Sequence, residues 1–299
     1  MEIKYYNQTE FFKHVMLEDG AISLATGSEP LGATVSITDR TDFYKRIKFD
    51  ENGNLLVKIA GSAPPTVWSP ASLTNLADWW SADTGVSLSG SLVNSWTGLN
   101  SNVLSPNNTS QKATFASSDS DMNSNPAIWI NPSSVGSDVG YKGIIDAGVV
   151  SKTVIMPIYT KANINETSYL MLNSQIILAN RMAFIDNPDF VWRYTDGING
   201  QIYDSLGVSD NPGTFLLLMM QYVPGTSGKW FASNSSTFAT AVNQNFTSSE
   251  NLKDLEIGGY AGAIGSSSFK TSEVILINGI PTSEEITNLQ SYFATKYGV

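Results

Sequence analysis

The 299-residue chain has no cysteine and one histidine, His14. Disulfides and thiolate metal sites are therefore excluded. Residues 68 to 299 contain no histidine, so Ser-His-Asp and Cys-His nucleophiles and His-based zinc sites cannot be assembled there. Basic residues are scarce as well: 17 Lys and Arg stand against 27 Asp and Glu, a formal charge of −10. That balance argues against a nucleic-acid surface, which needs clustered cations. Long apolar runs are also missing. The strongest, Phe215 to Met220, falls far short of the ~20 residues of a spanning helix and reads as a buried strand. Met1 to Tyr6 shows no apolar segment after a basic start, so no export signal is read.

Charge is unevenly spread. Residues 1 to 60 hold 7 Lys or Arg and 9 Asp or Glu, about twice the density of the remainder, which marks a separate N-terminal module. Thr34 to Ile37 reads as a strand. Phe43 to Phe49 and Asn54 to Ile59 read as a hairpin around Asp50-Glu51-Asn52-Gly53, with Ile47 and Phe49 facing Leu55, Val57 and Ile59. Sixty residues with so few core positions are marginal alone. Two readings stand: a segment that completes itself against a partner, or a small subdomain docked on its own chain. On the first, Tyr5, Tyr6, Phe11, Phe12 and Leu17 are the attachment candidates. Residues 61 to 67, with Pro64 and Pro65, read as a stiff linker.

Beyond Trp68, short apolar or alternating runs are cut by Ser, Asn, Gly and Pro, the pattern of a β-sandwich or jelly roll. Strands are expected at 127–130, 152–159, 169–172, 175–178, 190–194, 214–223, 230–232, 255–257 and 273–277. The Ser/Asn/Asp-rich stretch Asn100 to Asn125 is expected to form surface loops. Leu73 to Trp96 carries Trp79, Trp80 and Trp96, a large apolar load suited to a core wall; it reads as one strand from Ala77 to Ser81 and a second closing on Trp96. At the other end, Thr282 with Glu285 has capping-box spacing, Ile286, Leu289 and Phe293 make one apolar helical face, and Gly298 suits a helix C-terminus.

The opening Leu73 to Trp96 and the ending Tyr292-Phe293-Ala294-Thr295-Lys296-Tyr297-Gly298 resemble the two margins of concanavalin A-like (laminin G-like) jelly rolls found in phage and bacterial proteins. The resemblance implies an all-β jelly-roll sandwich over residues 68 to 299 with a short C-terminal helix. As a whole the chain resembles head-fibre or capsid-decorating proteins of crAss-like tailed phages. This implies a virion protein made in a bacterial cytoplasm, docked on the capsid through residues 1 to 60 and forming a homo-oligomer, with a trimer favoured. A tail fibre or receptor-binding protein is the alternative. Glycan binding is the commonest activity of such jelly rolls, and Trp192, Tyr194, Asp196 and Asn199 are the candidates for it; on one strand, Trp192 and Tyr194 share a face that is either glycan-binding or core.

Glycan cleavage needs two carboxyl groups about 5 to 10 Å apart across a cleft. Asp254 and Glu256 have the strand spacing that puts both on one face, but Asp254-Leu255-Glu256-Ile257-Gly258-Gly259 lacks the third acid of the glucanase motif. It looks more like the corresponding strand of non-catalytic relatives, so a solvated strand face and no enzyme are expected. No cofactor is expected. Calcium at the sandwich rim stays open, since Asp119 with Asp121, Asp186 with Asp189, and Asp196 with Asn199 are close in sequence, although none fits an EF-hand loop.

Overall fold

The computed structural model describes residues 68–131, 139–145, 147–162, 167–174, 181–187, 189–196, 200–205, 211–238, 240–245, 250–258 and 268–299, with short strands between residues 21 and 57. The chain divides into two compact units, Met1–Val67 and Trp68–Val299.

The first unit contains β1 (Ala21–Ile22), β2 (Ala25–Thr26), β3 (Glu29–Pro30), β4 (Val35–Ser36), β5 (Ile47–Phe49) and β6 (Leu55–Val57). They pair antiparallel as β1–β4, β2–β3 and β5–β6. The last pair is the expected hairpin, with Ile47 opposite Val57 and Phe49 opposite Leu55.

The second unit starts with β7 (Leu76–Ser81), β8 (Val86–Ser89), β9 (Leu92–Thr97), β10 (Val103–Pro106), β11 (Thr114–Asp119) and β12 (Asn125–Ile130). It continues with β13 (Tyr141–Ile144), β14 (Lys152–Ala162), β15 (Thr167–Asn173), β16 (Arg181–Asn187), β17 (Asp189–Asp196) and β18 (Gly200–Ser205). It ends with β19 (Phe215–Val223), β20 (Ser227–Ser233), β21 (Thr240–Asn245), β22 (Asp254–Ile257), β23 (Ser268–Thr271), β24 (Glu273–Ile277) and helix α1 (Ser283–Tyr297). The strand expected at 175–178 lies outside the described residues.

In the first sheet β14 is the axis. One edge of β14 pairs with β19, followed by β20 and β21. Its other edge pairs with β23 and β24. From there β24 leads to β7, and β23 leads through β12 and β11 to β9. The second sheet runs β10–β13–β22–β15–β16–β17–β18. Because β10 also pairs with β9, the hydrogen-bond ladder passes from one sheet into the other.

Alternation along the strands builds two cores from one sheet. Val154, Met156, Leu216, Leu218, Val274 and Leu276 face the second sheet, with Trp80, Trp96 and Trp230 among the fully buried side chains there. Their neighbours Ile155, Leu217, Met219, Ile275 and Ile277 face the other way, against Leu289, Phe293 and Tyr297 of α1. Strands covered on both sides must be apolar at every position, which is why Phe215 to Met220 reads as one continuous run.

Two expectations are corrected. Val86 to Trp96 is a hairpin of two strands, turning at Gly90 with φ +63°. Asn100 to Asn125 is not loop throughout: it supplies β10 and β11 and buries Leu104, Ala113 and Met122. Few apolar residues suffice there because the backbone is held by the ladders and by the buried Tyr141 hydroxyl, which donates to Val93 O and accepts from Ala113 N.

Three carboxylates fix the ends of the unit: Asp78 ties the opening segment to itself, and Glu273 and Glu285 join it to the last strand and helix. Asp78, fully buried, accepts hydrogen bonds from the backbone N–H of Trp79, Asn100 and Asn102 and from the Asn102 side chain, at 2.7 to 2.9 Å. A Cβ at Gly98 would stand 2.2 Å from Asp78 Oδ1, so only glycine fits there. Glu273, equally buried, accepts from Trp79 Nε1 and Tyr292 OH at 2.8 Å and from Tyr297 OH at 2.5 Å. Glu285 completes the capping box with Thr282 and also accepts from Thr74 N, and these hydrogen bonds hold its carboxyl below the usual range.

Asp78→Ala removes the acceptor of four donors and is expected to lower unfolding free energy by about 2 to 4 kcal/mol in urea titrations. Alkaline conditions should weaken the same unit. Burial raises Tyr141 and Tyr222 to about 12, and burial followed by the Glu273 charge raises Tyr292 and Tyr297 further. A raised folded pKa means the contribution is whole below the unfolded value of about 10 and is lost as pH climbs past it. Urea midpoints should therefore hold from about pH 8 to about pH 10 and fall by about pH 11, with tyrosinate absorbance lagging that of the unfolded chain.

Candidate functional site

The acid pair read from the sequence lies on β22. Leu255 and Ile257 point into the inter-sheet core, which turns Asp254 and Glu256 to the outer face of the second sheet. Register brings cross-strand neighbours to them. Glu256 lies between Lys142 of β13 and Met171 of β15, and Asp254 lies between Ile144 and Asn173. Gly258 ends the strand at φ +69°, its N–H donating to Tyr169 O; a Cβ there would stand 2.8 Å from Ile130, so the glycine is required by fit.

This face is not the solvated surface the sequence suggests. Glu256 is only 4% exposed, and Asn173 Nδ2 donates to its Oε1 at 2.9 Å. Met171 and Ala183, on the same outward face, are 1% exposed. Asp254 and Asn173 are half-buried at the margin, and Lys142 and Ile144 are exposed. The outer face thus has a covered centre and an open, polar rim. Neither Lys142 nor Asn173 is legible as a partner in the sequence, because both come from other strands and only register places them.

The ladder puts Trp192 opposite Phe184 and Tyr194 opposite Met182, both buried core residues. The side chains of Trp192, Tyr194 and Asp196, and all of Asn199, lie outside the described residues. The same holds for Tyr5, Tyr6, Phe11, Phe12 and Leu17.

Of the acids considered for calcium, Asp119 and Asp121 are engaged with lysines. Lys270 Nζ lies 2.6 Å from Asp119 Oδ2 and 2.7 Å from Asp121 Oδ2, and Lys161 Nζ lies 2.7 Å from Asp121 Oδ2. Hydrogen bonds from Lys161 and Lys270 hold the Asp121 carboxyl below its ordinary range. Asp119 also accepts from Asp121 N, capping the 3-10 turn Ser120–Met122. Among the described residues, no three His, Cys, Asp or Glu side chains gather as a metal site. The side chains of Asp186 and Asp189 lie outside those residues.

No protein-family model and no curated protein matches the chain. Several solved structures resemble it. One is the botulinum neurotoxin serotype G binding domain, with a TM-score of 0.50 and 10% identity over 74% of this chain and 52% of that one. Another is domain 4 of AbnA, a GH43 extracellular arabinanase from Geobacillus stearothermophilus in complex with arabinotriose, with a TM-score of 0.53 and 12% identity over 73% of this chain and 99% of that one. A third is Trypanosoma rangeli sialidase, with a TM-score of 0.51 and 15% identity over 74% of this chain and 33% of that one. The chain thus spans about half of the toxin domain and a third of the sialidase, but nearly all of the arabinanase domain. At such identities the likeness concerns architecture: the second unit is an all-β sandwich with a C-terminal helix.

Proposed function

We propose that the chain is a non-enzymatic structural protein of a tailed-phage virion. On this reading residues 1 to 60 dock on the capsid, residues 61 to 67 act as spacer, and the sandwich is displayed outward as a weak glycan binder. Assembly into a homo-oligomer, a trimer by preference, would multiply weak contacts into useful avidity. The arabinanase domain, matched over nearly its full length, was solved with a bound trisaccharide, which supports sugar binding by a sandwich of this size.

The observation that carries binding over cleavage is the state of Glu256. A cleaving pair stands on two sides of an open cleft, with room for substrate and water. Here one acid is covered and hydrogen-bonded to Asn173, while the other sits two residues away on the same strand. A glucanase-like enzyme is the contrary reading, favoured only by the shared face of those acids. Tail-fibre placement differs in location and host dependence, not in fold.

Incubated with host capsule, the intact chain is expected to release no sugar fragments; release that Asp254→Asn and Glu256→Gln abolish would establish the enzyme instead. Deleting residues 1 to 60 is expected to abolish incorporation into particles while leaving the sandwich folded. Immunogold labelling of virions should place the full chain on the head, and label on the tail, or undiminished incorporation of the deletion, would overturn the head-docking assignment.

A further inference from the structure

The outer face of the first sheet carries a feature that the sequence does not announce. Register aligns Trp129 of β12, Lys270 of β23, Tyr159 of β14 and Phe215 of β19 in one row across four adjacent strands. Their strand neighbours Ile128, Ile130, Phe269 and Ile158 belong to the inter-sheet core, so the row faces outward. Trp129, Tyr159 and Phe215 are each partly exposed. Tyr159 and Phe215 pack in part against the core beneath α1, and Phe215 leans on Tyr297 with ring centroids 5.5 Å apart, so the row runs outward from the margin of the helix.

The charged groups around the rings are fixed. Lys270 Nζ sits 5.6 Å from the Trp129 centroid and Lys161 Nζ sits 5.3 Å from that of Tyr159. Lys270 is held by Asp119 and Asp121 and Lys161 by Asp121, at 2.6 to 2.7 Å, and Trp129 Nε1 donates to Ser268 Oγ at 3.4 Å. The Lys161 and Asp121 side chains are 31% and 21% exposed. Lys270 and Asp119, at 11% and 10%, are more covered, so the inner pair serves the fold while the outer pair, Lys161 with Asp121, is open enough to contribute little to folding. What the pairing does supply is pre-organisation. Two long side chains are already immobilised, so a ligand would not bear that entropy.

We infer that this row is a binding surface for a neutral, hydroxyl-rich sugar chain, an assignment that rests on the glycan-binding reading above and gives that reading a place. Three properties select the ligand. Partly exposed rings attract the apolar C–H faces of sugar rings. Lys161 and Asp121, the more exposed pair, place a donor beside an acceptor for vicinal hydroxyls. Two cations and two anions cancel, so the surface has no preference for a uronic or sialic acid, and the chain's charge of −10 disfavours polyanions further. Trp129 and Tyr159 lie two strand spacings apart, roughly 10 Å, so one oligosaccharide can lie across both.

The test is affinity electrophoresis of the full chain in gels containing a neutral glucan, a neutral mannan or polygalacturonate, with thermal melting as the control for folding. Retardation is expected in a neutral polymer and not in polygalacturonate. Trp129→Ala should weaken that binding about tenfold, with Trp129→Phe intermediate. Should Trp129→Ala fail to fold, the milder Trp129→Phe and the surface change Lys161→Ala decide, and each should weaken binding. If the unaltered chain is retarded but folded variants at these positions bind as it does, the row is not the site, although glycan binding stands. Retardation by polygalacturonate alone overturns the neutral-ligand assignment. No retardation by any polymer or by host capsule removes the glycan-binding reading itself.

Discussion

Glu273 is a carboxylate without exposed surface, and the larger unit is assembled around its need for donors. Trp79 from β7 and Tyr292 and Tyr297 from α1 supply them, while Lys296 Nζ stands 3.5 Å away. An uncompensated charge in such a place would cost several kcal/mol, so the helix must sit where its phenols reach the strand. Apolar contact alone would let α1 slide along the sheet; the carboxylate fixes its register. Lys296 also reaches Asp83 beyond the end of β7, and Asn123 and Asn125 donate to Lys296 O. The helix is thus tied at its C-terminal turn to strands and loops from the opening third of the unit, and at its N-terminal turn to Thr74 through Glu285.

That placement divides the outside of the sandwich into unlike regions. The helix covers part of the first sheet and leaves the row from Phe215 to Trp129 beside it. The second sheet has a covered centre at Glu256, Met171 and Ala183, with a polar rim. Among the described residues the space between the sheets is filled by large side chains such as Trp80, Trp96 and Trp230, which leaves the outer faces as the places where the proposed binding would occur.

The sequence makes legible whatever depends on neighbours in the chain. Capping by Thr282 and Glu285, the apolar face through Leu289 and Phe293, the C-terminal Gly298 and the doubly buried Phe215 to Met220 all follow from local spacing and appear as read. What failed was whatever depends on register. Asp254 and Glu256 are correctly placed on one face, but the burial of Glu256 is decided by Asn173 and Met171 on another strand. The row through Trp129, Lys270, Tyr159 and Phe215 draws one residue from each of four strands far apart in sequence, so no local pattern reveals it. Asn100 to Asn125 failed for a different reason: β10, held by backbone bonds to β9 and β13, needs only Leu104 pointing inward, and composition registers the serines and asparagines instead.

The pairing of β7 with β24 has a consequence for how the body forms. Trp79 and Glu273, which meet in the finished molecule, are separated by 194 positions. Closing a loop of that size precedes any reward from the contact, which makes such a topology intrinsically slow to complete. During translation the edge of β7 waits unpaired until Glu273 to Ile277 have left the ribosome. An open strand edge therefore persists over the synthesis of the 194 positions between Trp79 and Glu273, and its closure waits on the arrival of β24.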